Sequence, residues 1–129
     1  MRTIIVTAGV IIQKGKILIT RRKEGVPHAL LWEFPGGKVK EGEEPRQALQ
    51  RELKEELGVE AEVERIVEIV FHFHPDHPIL LLLYSCRIGR GDPMPIDCYD
   101  LQWVTPEELK NREMPPADGP IQERLGRYE

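Results

Sequence analysis

Apolar positions recur along this chain at two spacings, and the switches between them mark its elements. Residues 3–12 form an almost unbroken apolar run rich in Ile and Val, the pattern of a buried strand. Gln13-Lys14-Gly15-Lys16 reads as a turn, and residues 17–22 return as the second strand of a hairpin. Residues 61–73 alternate apolar and charged positions and read as one strand, bulged or regular. Ile79 to Tyr84 is fully apolar and belongs in the middle of a sheet, and Leu101 to Val104 makes a last strand. The period changes over residues 45–57, where Leu49, Leu53 and Leu57 fall on one helical stripe. Pro45 suits the first helical position and Gly58 the stop, while Glu44 holds the N-cap, where Ser, Thr or Asp would cap better. Thr105-Pro106-Glu107-Glu108 starts another helix, and a terminal one runs to about Arg127.

Composition narrows the class. A chain of 129 residues suits one domain, residues 1–129, and 31% charged with 40% hydrophobic residues suits a soluble globular protein. A net charge of −4 argues against a nucleic-acid polymer as partner, because such footprints are basic. Arg2 followed by the run 3–12 loosely imitates a secretion signal, but it has no small-residue cleavage site and is too short for a bilayer. No membrane association is expected. Cys86 and Cys98 form neither a CxxC pair nor a disulfide framework, which points to a reduced, cytoplasmic setting.

The helix at 45–57 carries the chemistry. Glu52, Glu55 and Glu56 stand at i, i+3 and i+4, on one face. Like charges at that spacing destabilise a bare helix, a cost that a bound cation removes. Carboxylate oxygens suit Mg²⁺, which takes one or two protein carboxylates, several waters and the phosphates of a substrate. Arg51 can pair with Glu55 one turn on and orient it. Upstream, Trp32 and Phe34 alternate as in a short strand before Pro35-Gly36-Gly37, and tandem glycines let the backbone approach a ligand closely. Lys38, next along, can touch phosphate or simply be solvated. His72, His74 and His77 match no familiar zinc spacing and read as a hairpin turn lining a pocket.

Gly37, Glu43, Arg51, Glu52, Leu53, Glu55, Glu56, Gly58 and Val59 together complete the pattern G-x5-E-x7-R-E-U-x-E-E-x-G-U, with U apolar. The chain thereby resembles the Nudix hydrolases, and Thr20-Arg21-Arg22, Glu33-Phe34-Pro35-Gly36-Gly37 and Pro115-Pro116-Ala117-Asp118 extend the resemblance to their MutT-type members. The resemblance implies a single-domain α/β/α sandwich with a mixed sheet. It implies Mg²⁺-dependent hydrolysis of a nucleoside triphosphate, Mn²⁺ substituting, by a monomer or homodimer. It implies a metal shell of Glu52, Glu55, Glu56 and the Gly36 carbonyl, a phosphate contact at Arg22, and a base site near Phe34 and Asp118. A further acid lies six residues before Trp103, at Asp97, with Asp100 as the alternative. Glu52, Glu55 and Asp97 are all candidates for the general base.

The substrate stays open at this level. A cytidine nucleotide, a dinucleoside polyphosphate, a sugar nucleotide or a binding role without chemistry all compete. The complete acid set favours chemistry. An ionised Asp118 only accepts hydrogen bonds, so it suits the two adjacent donors of guanine better than cytosine, and guanine triphosphates, oxidised ones included, are expected to lead.

Overall fold

The computed structural model describes residues 2–125. Strands β1 (Ile4–Gln13) and β2 (Lys16–Arg21) form the expected hairpin around Lys14-Gly15. Two short strands follow, β3 (Trp32–Glu33) and β4 (Gly36–Lys38), then helix α1 (Pro45–Leu57). Glu44 caps α1 better than its residue type promises: its carboxylate accepts from the N–H groups of Arg46 and Gln47, at 3.1 and 3.2 Å. Gly58 closes the helix, its N–H donating to the Lys54 carbonyl at 2.9 Å.

Strand β5 (Glu60–Phe73) runs antiparallel to β6 (Pro78–Arg90), with register shifts between Val63 and Arg65 and between Ile66 and Glu68. Strand β6 is therefore longer than its apolar stretch. Ser85, Cys86 and Arg87 stay in the ladder because β5 supplies hydrogen-bonding partners along its whole length. Strand β7 (Asp100–Val104) pairs with β2, and α2 (Pro106–Leu109) carries a full capping box between Thr105 and Glu108. A 3₁₀ turn over Pro116–Asp118 leads into α3 (Gly119–Leu125). The expected end of that helix, Gly126 and Arg127, lies outside the described residues.

The sheet order is β3-β2-β1-β6-β5, with β4 joining β1 and β7 joining β2. Strands β1 and β6 are parallel, from Ile4 opposite Ile79 to Ile11 opposite Cys86, and the other pairings are antiparallel. The mixed sheet and the α/β/α layering follow the expectation. On one face, Leu49, Leu53 and Leu57 of α1 pack on Ile11, Leu18 and Tyr84. On the other, Ile121 of α3 and Leu109 of α2 pack on Ala8, Ile19, Phe34 and Leu83. Leu53 is fully buried in the first of these cores. Leu53→Ala should lower unfolding free energy by about 2–5 kcal/mol, the usual range for emptying a buried leucine site. A denaturant titration monitored by circular dichroism checks it, and an unchanged midpoint would contradict the placement.

Candidate active site

The site forms where β4 meets α1. Gly36 pairs with Ala8 so closely that a Cβ there would fall 2.0 Å from the Thr7 carbonyl oxygen. At Gly37 a Cβ would fall 2.4 Å from the carboxyl carbon of Glu52. The two glycines thus let an acid of α1 lie directly against the β4 backbone. The Gly36 N–H donates to Glu56 Oε2 at 3.3 Å, which brings a second acid of α1 to the same place.

Arg51 holds this end of the helix together. Its Nε and Nη2 donate to the two Glu43 oxygens at 2.8 and 3.0 Å, and Nη1 reaches Glu52 at 2.8 Å and Glu55 at 3.3 Å. Nη2 also donates to the Lys38 carbonyl at 3.1 Å, tying helix to β4. The expected Arg51–Glu55 pair is present, but the fork onto Glu43 is the stronger contact. Glu43 belongs to the sequence pattern, and its spacing alone gave it no role. Hydrogen bonds from Arg51 and from the Lys40 N–H hold its carboxyl down at about 2.

A cavity of about 450 Å³, within the usual size of a small-molecule site, opens at Gly36 and Gly37; Glu52 and Glu56 reach those glycines, but none of Glu52, Glu55 and Glu56 lines it. Arg22, Phe34, Gly36, Lys38 and Asp118 all line it, as expected of them. Glu33 lines it too and was missed from sequence: a charged residue between Trp32 and Phe34 reads as the solvent face of a strand, yet that face of β3 turns into the cavity. Arg22 Nη1 donates to Glu33 at 2.9 Å and its Nε to the Pro27 carbonyl at 2.9 Å. Phe34 is only 3% exposed and packs mainly in the core. Lys38 is exposed at the cavity margin.

Electrostatically the site holds more acid than its arginines neutralise. Burial raises Glu56 well above the usual carboxylate range, and Glu33 and Glu52 push it further. Burial also raises Glu52, against the pull of Arg51, and Glu33, against the pull of Arg22. Asp118 is 8% exposed, and no hydrogen bond reaches its carboxyl among the described residues. Burial, with Glu33 close by, pushes it up to about 8. Its residue type suggests an ionised acid, and burial works against that form.

The remaining predicted residues stand apart from the cavity. Glu55 is half exposed, against Arg51. Asp97 pairs with Lys23 at 2.6 Å, both largely exposed, just beyond the C-terminal end of α1. Asp100 caps its own strand, accepting from the Leu101 N–H at 2.8 Å. Among the described residues, no three His, Cys, Asp or Glu side chains are grouped so as to hold a metal ion, so the expected Glu52, Glu55 and Glu56 shell is not assembled here; Glu52 and Glu56 alone lie against the Gly36-Gly37 backbone. Crowded hard oxygen donors beside a cavity do fit a cation that completes its shell with water and phosphate.

Residues 3–125 match the model of the NUDIX domain. The chain belongs to the Nudix family. It is 38% identical over 125 residues to the CTP pyrophosphohydrolase of Escherichia coli K12, covering 95% of this chain and 91% of the relative. It is 37% identical over 121 residues to the 8-oxo-dGTP diphosphatase of Haemophilus influenzae, covering 93% and 89%. The crystal structure of the MutT protein from Methanosarcina mazei Go1 superposes with a TM-score of 0.84 at 25% identity, covering 97% and 94%. This is a Nudix hydrolase of the MutT type.

In this hydrolase the Glu43–Arg51 fork stabilises the fold above the ordinary carboxylate value of 4.5, and that contribution is lost as pH falls toward about 2. Arg51→Met should therefore lower the melting temperature at pH 7 and flatten its decline between pH 4.5 and pH 2. Thermal melts of both proteins across that range test this, and parallel curves would exclude it.

Proposed function

We propose that the protein is a divalent-cation-dependent pyrophosphohydrolase that splits a nucleoside triphosphate into the monophosphate and pyrophosphate. The observation that carries this reading is the crowded acid set of Glu52 and Glu56, pressed against Gly36-Gly37 at the edge of a nucleotide-sized cavity. The names of the relatives from E. coli and H. influenzae support the substrate class.

Glu52 and Glu56, with Glu55 and the Gly36 carbonyl, would hold Mg²⁺ or Mn²⁺. When bound, such an ion polarises phosphoryl oxygens and lowers the pKa of an attacking water. The chain supplies the rest. Arg51 orients Glu52, while Lys38 and Arg22 offer positive charge to the phosphates on the cavity side. Of the candidate bases, Glu55 is exposed and Asp97 is held by Lys23. Glu52 is partly buried, is raised above its ordinary value by that burial, and lies against the Gly36-Gly37 backbone, which makes it the candidate base favoured here. Activity should vanish in excess chelator and return with Mg²⁺ or Mn²⁺. Glu56→Gln should lower kcat at least about 100-fold without lowering the melting temperature, because it removes a half-buried acid crowded by Glu33 and Glu52. Full turnover in excess EDTA would contradict the reading.

The state of Asp118 changes the expected base preference. A neutral carboxyl offers one donor and one acceptor. It fits the exocyclic amine and ring nitrogen of cytosine as well as the N1–H and O6 of guanine. The argument for guanine over cytosine therefore holds only once Asp118 ionises, above about pH 8. The ionised form accepts from two guanine donors, and one charge-assisted hydrogen bond is worth about 1.5–3 kcal/mol. The guanine-to-cytosine ratio of kcat/KM should rise about tenfold as pH passes through that value. In Asp118→Asn the ratio should be flat, since an amide keeps one donor and one acceptor throughout. A second readout is stability. A carboxyl raised on folding contributes fully below the ordinary value of 3.8, and the contribution is lost as pH rises through about 8. Asp118→Asn should gain melting temperature over wild type as pH rises across that span. A ratio that is equally flat in both proteins would show that Asp118 does not read the base.

A further inference from the structure

The chain has four histidines, and all four line the same cavity. Three come from one short stretch, the end of β5 and the turn into β6. The alternation of β5 sends His72 and His74 toward the cavity, while Phe71 and Phe73 point the other way, 48% and 78% exposed. His77 folds back from the turn so that its ring stacks on that of His74, with centroids 5.0 Å apart and planes 19° from parallel. His72 stands edge-on to His74 at 6.5 Å.

One nitrogen of each stacked ring is occupied by the turn itself. His74 Nδ1 accepts from the Asp76 N–H at 3.1 Å, and His77 Nδ1 lies 3.4 Å from the Pro78 carbonyl oxygen. These contacts set the plane of each ring before any ligand arrives. A base whose edge is held at Asp118 needs cover for its flat faces. Phe34 cannot give it, since only 3% of its surface is open. The open aromatic surface of this cavity is histidine, with His72, His74 and His77 half-buried and His28 exposed, and within it His74 and His77 are the pair stacked face to face.

We propose that the stacked His74–His77 pair is the wall against which the substrate's nucleobase lies, a binding and selectivity surface for planar heteroaromatic rings. It rests on the reading of the protein as a nucleotide hydrolase. The wall acts through its π faces, so it contributes to binding and leaves the chemical step alone.

The test is steady-state kinetics on wild type and on His74→Ala, His77→Ala, the corresponding Phe variants and the corresponding Gln variants, with cytidine and guanosine triphosphates. Inorganic tripolyphosphate serves as a base-free competitive inhibitor. Alanine should raise KM about two- to tenfold, the worth of an aromatic stacking contact, with kcat within about twofold. Phenylalanine should restore KM, glutamine should not, and the inhibition constant of tripolyphosphate should be the same in all. Thermal melts confirm that each variant is folded. Rescue by glutamine rather than phenylalanine would overturn the stacking role in favour of hydrogen bonding. A weakened tripolyphosphate constant would move the histidines to the phosphates, and an unchanged KM in both alanine variants would leave the wall without a role. Wild type that turns over neither triphosphate would instead bring down the nucleotide-hydrolase reading on which the wall depends.

Discussion

Everything at this site follows from the burial of more carboxyl groups than there are cations beside them. Glu33, Glu52, Glu56 and Asp118 are all raised by burial, and Glu33 acts on both Glu56 and Asp118. Arg51 and Arg22 each anchor one end of the array, at Glu52 and at Glu33. A fold tolerates such crowding when the acids can stay protonated or when a ligand brings the missing positive charge. Burial favours the first condition at Asp118, and the proposed cation would meet the second at Glu52 and Glu56. On that reading one polar cluster would have an end that takes a cation and an end able to donate as well as accept hydrogen bonds.

Backbone geometry makes that crowding available to a substrate. Without side chains at Gly36 and Gly37, β4 approaches both β1 and the carboxyl of Glu52. The helix is fixed from its other side by Leu49, Leu53 and Leu57, all fully buried. It cannot retreat from the strand without opening that core. The acids are thus pressed into place by packing on one face and drawn in by Arg51 and the Gly36 N–H on the other.

Much of this was legible in the sequence wherever a signal was local. The helix over 45–57, its three acids, its stop at Gly58 and the glycine pair could be read because spacing along the chain equals spacing in space for such elements. The Arg22–Glu33 pair, the proximity of Asp118 to Glu33 and the fork of Arg51 onto Glu43 depend on loops that spacing does not describe. Glu33 was hidden by a good rule applied to a two-residue strand, whose polar side faces a cavity instead of solvent. The burial of Asp118 was hidden for a related reason. Its residue type argues for ionisation, and only its surroundings argue against it. The length of β6 likewise came from its neighbours rather than from its own composition.

The parallel pairing of β1 with β6 bears on how the chain reaches this state. Ile4 lies opposite Ile79, 75 positions later, and the intervening segment contains α1 and β5. One side of β1 can close early on β2 and β4. Its other side, an apolar edge, has to wait until β6 is available. Contacts of that range slow folding, because a long loop must be ordered before they form. During synthesis at about 5–20 residues per second, β1 spends seconds as an unpaired hydrophobic edge. That interval, rather than the finished molecule, is when this chain is most exposed to mispairing with its neighbours.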